Sequence, residues 1–324
     1  MPTNGSNGHR PSPPRWRGFV YYLRCKLQHR PYLVNVEFTK LCNAKCFFCH
    51  CWQLESPDEL QDYGPVIQRF RPVLCSVSGG EPMLRKNYPD LLKKMRPWCH
   101  YMMIITNGAL LNEDSAEKLR WAGVDQITIS LDYLSKKHDE VRKIDGLFEH
   151  ISTVAPKLRS QGYKICFNSI IMESNLDEIL PLARKALGWD CFISFSSFCT
   201  LKANEESEWV REERMKQLAE IVGELKEMKR EYRHIKNSNY YLDHIVPYFK
   251  EGGVADCKAG HNFIQITPDG YVQRCSEMPR MAHYTKYWPT QVGETLCTKC
   301  WYGCRGETES NLIAPGRLKD LLRA

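Results

Sequence analysis

Cys42, Cys46 and Cys49 are spaced C-x3-C-x2-C on one short stretch that follows a strand-like run at 34–39. Three thiolates so close together can hold three irons of a [4Fe–4S] cube and leave the fourth iron open to a substrate or cofactor. The competing chemistry is a zinc site, although zinc loops more often carry a C-x2-C pair with a second pair at a distance. Cys257, Cys275, Cys297, Cys300 and Cys304 lie downstream. Residues 263–275 read as a hairpin turning at Pro268, Asp269 and Gly270, which brings Cys257 and Cys275 near the later C-x2-C pair. Four thiolates gathered in this way suit either zinc or a second [4Fe–4S] cluster.

A chain of 324 residues can bury one large core, or a large and a small one. Its 15 cysteines accompany no secretory signal, so their grouping favours metal binding in a reducing cytosol over disulfides. Cys25, Cys51, Cys75, Cys99, Cys166, Cys191 and Cys199 fall outside both groups, and most are expected to be small buried apolar side chains. No apolar run reaches the ~20 residues that a membrane-spanning helix needs. The net charge of +7 is uneven. No acidic residue precedes Glu37, whereas Arg10, Arg15, Arg17, Arg24, Lys26 and Arg30 are all basic. The body is therefore nearly neutral and lacks the basic footprint of a nucleic-acid-binding protein.

Residues 1–14 read as a disordered tail. Residues 15–33 hold a basic amphipathic helix, with Trp16, Phe19, Val20, Leu23 and Leu27 at helical spacing. Its apolar side is expected to pack against the body, with docking on an anionic membrane as the alternative. From 34 to 235 strands and helices alternate. Strands are predicted at 34–39, 73–78, 102–106, 126–130, 164–171 and 191–196. Helices are predicted at 58–70, 88–95, 114–122 and 147–160, from 176 onward with Asn175 as its cap, and over 205–233. Six β/α units imply an α/β fold with a parallel, curved or barrel-like sheet. Residues 236–310 are rich in Gly, Pro and Cys and read as a small metal-stabilised second domain, and 311–324 as a C-terminal tail.

Parallel barrels place their active sites at the C-terminal ends of the strands, and the remaining motifs gather there. Gly79, Gly80, Glu81 and Pro82 follow the second strand, where paired glycines let the backbone approach a ligand and exposed carbonyls accept from an ammonium. Thr106, Asn107 and Gly108 end the third strand. Ser130 and Asp132 end the fourth, followed by His138, Asp139, Arg142, Gly146 and Phe148, and Asn168 lies on the fifth. Taken with the cysteine triplet, these GGEP, TNG, SLD and HDxxR runs resemble the radical S-adenosylmethionine (SAM) superfamily over roughly residues 34–305. The resemblance implies a partial (β/α)6 TIM-like barrel. It implies that the open iron binds the amino and carboxylate groups of SAM, and that reductive cleavage yields a 5′-deoxyadenosyl radical that takes a hydrogen atom from the substrate. It places Phe48 near the adenine and Gly79, Gly80, Glu81 and Pro82 at the methionine amino group. Thr106, Asn107, Ser130 and Asn168 are the further SAM contacts that it implies. Asp132 and Arg142 are candidate catalytic residues, or else a structural ion pair or helix cap.

The downstream cysteines resemble the SPASM/twitch auxiliary-cluster domain of the same superfamily, most specifically in the PDGxVxxC run that ends at Cys275. A full SPASM domain usually supplies more cysteines, for two clusters. The number present here implies the shorter twitch form with one auxiliary [4Fe–4S] cluster. Its first-choice ligands are Cys257, Cys275, Cys297 and Cys300, with Cys304 as a spare or a replacement. Sulfatase-maturing relatives carry an Asp directly after the cysteine equivalent to Cys275. Here Ser276 follows, then Glu277, which puts that function in doubt and leaves Glu277 as a candidate base or an exposed carboxylate. The expected function is a radical SAM enzyme acting on a small-molecule or lipid-linked substrate (a sugar, nucleoside, cyclitol or lipid precursor), with oxidation through the auxiliary cluster. The alternative is a peptide-modifying enzyme of the RiPP type, disfavoured by a short N-terminal extension. A zinc-stabilised nucleic-acid-binding protein is remote. A reductant such as flavodoxin or ferredoxin is the expected partner and nucleic acid is not. The expected location is the cytoplasm, with peripheral membrane contact through residues 15–30.

Overall fold

Hydrophobic strands alternate with amphipathic helices along most of the chain, and the parallel part of the sheet they build is largely buried on both faces, as parallel sheets require. The computed structural model describes residues 15–56, 58–287, 292–293 and 295–310. The expected tails at 1–14 and 311–324 lie outside the described residues. Helix α1 (Arg15–Leu27) precedes β1 (Leu33–Glu37). Then come α2 (Gly64–Phe70), β2 (Leu74–Ser78), α3 (Tyr88–Met95), β3 (Tyr101–Thr106), α4 (Glu113–Ala122) and β4 (Gln126–Ser130). Helices α5 (Lys137–Arg142) and α6 (Leu147–Ser160) lead to β5 (Ile165–Ile171), and α7 (Ile179–Gly188) leads to β6 (Phe192–Ser197). Four helices follow: α8 (Thr200–Ala203), α9 (Met215–Tyr232), α10 (Asn239–Asp243) and α11 (Ile245–Glu251). Strands β7 (Phe263–Ile266), β8 (Tyr271–Gln273) and β9 (Arg280–His283) and helix α12 (Gly303–Glu309) complete the described elements.

The sheet order is β6-β5-β4-β3-β2-β1-β7-β8-β9, and β1 to β6 are all parallel to their neighbours. The six consecutive β/α units thus form the partial barrel. Strand β7 lies parallel to β1, pairing Leu33 with Phe263 and Val36 with Ile266, and β8 and β9 return antiparallel. The cysteine-rich segment therefore continues the barrel sheet next to the strand that feeds the first cysteine loop.

Several local expectations change. The helix expected from 58 begins at Gly64, where the Asp62 carboxylate accepts from the Gly64 amide at 2.7 Å and Pro65 opens the first turn. Asn175 is not the cap of a helix. It is fully buried, accepts from Met172 N at 2.8 Å and donates to Ile170 O at 2.7 Å, and α7 starts only at Ile179. The long helix read over 205–233 is α9 alone, entered through a 3-10 turn at Glu212–Arg214. Helix α1 packs on the body, but through Tyr22 and Cys25. The Trp16, Phe19, Val20, Leu23 and Leu27 side expected to be buried faces away.

Candidate active site

The loop bearing Cys42, Cys46 and Cys49 leaves the C-terminal end of β1 and lies against the turn after β2. Gly80 N donates to Thr39 O and Glu81 N to Leu41 O, both at 2.8 Å. A Cβ on Gly79 would stand 2.4 Å from Thr39 O, and one on Gly80 would stand 2.0 Å from Leu41 O. Only glycine permits this approach, and Gly79 also holds φ +128°. Glu81 is fully buried. It accepts from Thr106 Oγ1 at 2.9 Å, Asn107 N at 2.8 Å and Met83 N at 3.2 Å. Burial raises its pKa to about 7, against the pull of those donors. Asn107 Nδ2 in turn donates to Asn43 Oδ1 of the cysteine loop at 2.7 Å. The side chains of Glu81, Thr106 and Asn107 thus brace one another and the loop. Asn43 is a partner that spacing alone did not single out.

Behind the loop lies a buried ion pair. Arg142 Nη2 meets Asp132 Oδ2 at 2.6 Å, and Asp132 Oδ1 accepts from Ile170 N at 3.0 Å. Arg142 Nη1 lies 3.9 Å from Cys46 Sγ, its carbonyl accepts from Lys45 N at 3.1 Å, and its guanidinium stands 5.6 Å from the Phe48 ring. Its Nε is buried without a hydrogen-bond partner among the described residues. Ser130 is half-buried at the end of β4. Asn168 turns its side-chain oxygen to the hydroxyls of Ser194 (3.2 Å) and Ser196 (3.4 Å) on β6. Asp139 accepts from the amides of Gly146 (2.9 Å) and Phe148 (2.7 Å), which ties α5 to the start of α6.

His138 is also buried, and its Nδ1 accepts from Asp132 N at 3.3 Å. Burial, aided by Arg142, depresses its pKa from 6.5 to about 3. A folded pKa below the unfolded one means that the stability from neutral His138 is complete above pH 6.5 and is lost as pH falls towards 3. Relative to His138→Gln, the parent should lose up to about 1.4 kcal/mol per pH unit in that window. Denaturant unfolding of both proteins across the window checks this. The comparison cancels the opposing effect of Glu81, whose raised pKa destabilises with rising pH. Parallel curves would remove His138 as the source.

A polar strip joins the first cysteine loop to the second set. The Cys51 thiol donates a hydrogen bond to Cys49, which lowers the Cys49 pKa and raises that of Cys51. Cys51 is buried, as expected of the ungrouped cysteines, and it borders the cluster loop. His50 Nδ1 donates to Lys202 O on α8. Burial opposes the Lys202 ammonium, but Cys49, Cys51, Glu277 and Glu37 outweigh it and raise its pKa. Lys202 also acts electrostatically on Cys304. Glu277 is half-buried and accepts from Tyr302 Oη at 3.1 Å and Ser276 Oγ at 2.8 Å. Lys202 and Tyr302 are residues that the motifs did not reveal. For Lys202 the signal was its position just past the C-terminal end of β6.

In the second set, Cys257 packs with Leu33, Ala259 and Phe263, and Cys275 and Cys304 lie against that cluster. Cys304 interacts with Cys257, Cys275 and Cys300, and Cys297 interacts with Cys257. Burial pushes the Cys275 and Cys304 thiols up to about 12, so a bound metal must displace their protons. Arg305, fully buried, fastens the segments together by donating to Cys300 O (2.8 Å), Val254 O (2.6 Å), Ala255 O (2.7 Å) and Glu309 Oε1 (2.9 Å).

Among the described residues no three Cys, His, Asp or Glu side chains close around one ion-sized position. Cubane thiolates each sit on a different iron and stand further apart than the ligands of a single ion. The all-thiol donor sets, the glycine cradle and the unpartnered Arg142 Nε beside Cys46 fit an iron–sulfur cluster with a carboxylate-bearing ligand.

Residues 36–186 match the family model described as the Radical SAM superfamily. A probable GTP 3′,8-cyclase of Pyrococcus abyssi is 27% identical over 263 residues, covering 75% of this chain and 83% of its own length. The antilisterial bacteriocin subtilosin biosynthesis protein AlbA of Bacillus subtilis is 26% identical over 270 residues, covering 77% of this chain and 56% of its own. The crystal structure of Streptococcus suis SuiB bound to S-adenosylmethionine superposes with a TM-score of 0.66 at 15% identity, covering 85% of this chain and 69% of that one, which is a likeness of fold. With the cysteine loop, the glycine cradle and the partial barrel in place, residues 36–186 form a radical SAM domain, and the protein is an iron–sulfur enzyme that uses a [4Fe–4S] cluster and S-adenosylmethionine.

Proposed function

We propose that the enzyme removes a hydrogen atom from a peptide side chain held between the Cys42–Cys49 loop and the Cys257–Cys304 set. The observation that carries this reading is the strip of Lys202, Glu277 and Tyr302 between the two cysteine groups. Charges of both signs and a phenol suit the amides and mixed polarity of a peptide. A nucleoside triphosphate would instead bring several negative charges against Glu277. The metabolite reading expected from the motifs stays as a second reading, because the relatives named probable GTP 3′,8-cyclases align along most of the chain.

When bound, the cluster and SAM supply a 5′-deoxyadenosyl radical. Cys42, Cys46 and Cys49 hold that cluster. Arg142, through its unpartnered Nε, and Ser130 bind the SAM carboxylate. The backbone at Gly79 and Gly80 accepts from the amino group, and Phe48 covers the adenine. Four thiolates of the set Cys257, Cys275, Cys297, Cys300 and Cys304 would hold the auxiliary cluster, with Cys304, set among three of the others, as one of the four. Glu277, fixed by Tyr302 and Ser276, accepts the proton that substrate oxidation releases. A small electron carrier such as flavodoxin or ferredoxin is the reductant.

The test is 5′-deoxyadenosine formation by the anaerobically reconstituted protein with SAM and dithionite, in the presence of short synthetic peptides or of GTP. Formation above the substrate-free rate with peptides, accompanied by a mass change in the peptide, supports the first reading. Stimulation by GTP alone transfers the site to the second. Glu277→Gln should lower oxidised product by about 10²–10⁴-fold, the usual reach of a general base, while 5′-deoxyadenosine still forms.

A further inference from the structure

Helix α1 carries two apolar sides, and only one is used. Tyr22 and Cys25 are buried. Tyr22 meets the Tyr32 ring edge-on at 5.2 Å, Cys25 Sγ lies 3.7 Å from Arg71 O, and Tyr21 stacks at a tilt on His100 at 5.5 Å. Gly18 belongs to the same contact, since a Cβ there would stand 2.9 Å from His100 Nε2. These partners immediately precede β1, β2 and β3. The helix therefore lies under the N-terminal ends of the strands, at the end opposite the Cys42–Cys49 loop. At 100° per residue, Trp16, Phe19, Val20, Leu23 and Leu27 form one stripe on the other side. Trp16 is 65% exposed, Phe19 47%, Leu23 38% and Leu27 80%.

Charge frames that stripe. Arg17 and Arg24 are exposed along one flank. Lys26, on the other flank, donates to Asn262 Oδ1 at 3.1 Å and lies over the Tyr22 and Tyr32 rings, which fixes the helix to the body. No acidic residue precedes Glu37. Apolar residues along the outer ridge, with cations level with the boundary, make the pattern of a helix lying in a bilayer interface. No helix among the described residues is long and apolar enough to cross a membrane.

We propose that α1 docks the enzyme flat on an anionic lipid bilayer. The stripe enters the acyl boundary, and Arg17 and Arg24 meet the headgroups. Docking through the underside turns the mouth that carries Cys42, Cys46 and Cys49 away from the lipid. This orientation revises the expectation of a lipid-linked substrate: the membrane is an anchor, and substrate reaches the mouth from the aqueous side.

The experiment is co-sedimentation of the reconstituted full chain with vesicles of phosphatidylcholine alone or mixed with phosphatidylglycerol, at low and raised salt. The parent is expected to sediment with the mixed vesicles only, and less so at raised salt. Arg17→Gln/Arg24→Gln should weaken binding by about fivefold per charge removed. Phe19→Ser/Leu23→Ser should weaken it further. Both variants should keep the parent's iron content and SAM cleavage, because neither alters the site. Equal sedimentation of parent and variants, or none by the parent, overturns the proposal. A parent that ignores vesicles but dimerises in solution, while Phe19→Ser/Leu23→Ser stays monomeric, also overturns it and assigns the stripe to a second copy.

Discussion

Converting Cys42, Cys46 and Cys49 together to Ala should halve the iron content, from about eight to about four per chain at four irons per cubane, and abolish SAM cleavage. The effect on chemistry should be total because, in the site proposed above, the loop supplies every protein ligand to the reactive cluster. The effect on the fold should be small. The loop backbone is independently held by Gly80 to Thr39, Glu81 to Leu41 and Asn107 to Asn43. Circular dichroism and thermal unfolding of the metal-free proteins should therefore nearly coincide. Iron and labile sulfide assays of the reconstituted proteins decide the assignment. About four irons in the parent and none in the variant would mean that the downstream cysteines hold zinc or nothing, and electron acceptance by a second cluster would fail. Cleavage that survives in the variant would remove the site itself.

The second large effect is expected at the Asp132–Arg142 pair. Asp132→Ala leaves a buried guanidinium without its counter-charge and should cost about 3–5 kcal/mol of stability. Its carboxylate is also the acceptor for Ile170 N, so β5 loses a tie at the same time. Arg142→Met should cost a similar amount by stranding Asp132. The double variant Asp132→Leu/Arg142→Met replaces the pair with apolar volume and should recover much of the loss, yet it should still bind SAM poorly because the guanidinium beside Cys46 is gone. Urea unfolding and SAM binding, measured on all three, separate the two roles. If the double variant is no more stable than the singles, the buried charge is not the source of the cost. If it binds SAM like the parent, Arg142 does not contact the ligand.

The six strands were legible because each is a short hydrophobic run bounded by turn residues, and the strand-end motifs fell where a parallel sheet exposes its mouth. The cysteine groups were legible because their spacing is itself the signal. What stayed hidden depends on partners distant in sequence. The stripe from Trp16 to Leu27 showed that α1 has an apolar side, but periodicity cannot say which of two sides meets the protein. Gly18, Tyr21, Tyr22 and Cys25 make contact through small size and ring stacking, which a hydrophobic count underrates. Asn175 has the residue type and spacing of a cap, yet it lies in the core because Asp132, Ile170 and Met172 converge on it. Lys202 sits in a four-residue helix with no motif around it, and only the folded chain brings it to Cys49, Cys304 and Glu277. Cys51 is buried as its type suggests, but its relation to Cys49 is a matter of loop conformation that spacing does not carry.

Pairing residue 33 with residue 263 also imposes a schedule on biosynthesis. Strand β1 has β2 on one side early, but its other edge stays open until the C-terminal hairpin has left the ribosome. At ~5–20 residues per second that interval is about 10–50 s. During it the nascent barrel presents an unpaired hydrophobic strand beside an unloaded cysteine loop, an aggregation hazard of the edge-strand kind. Slower synthesis would prolong that exposure, so soluble yield should depend more on chaperone supply and prompt completion of the chain than on the stability of the finished fold.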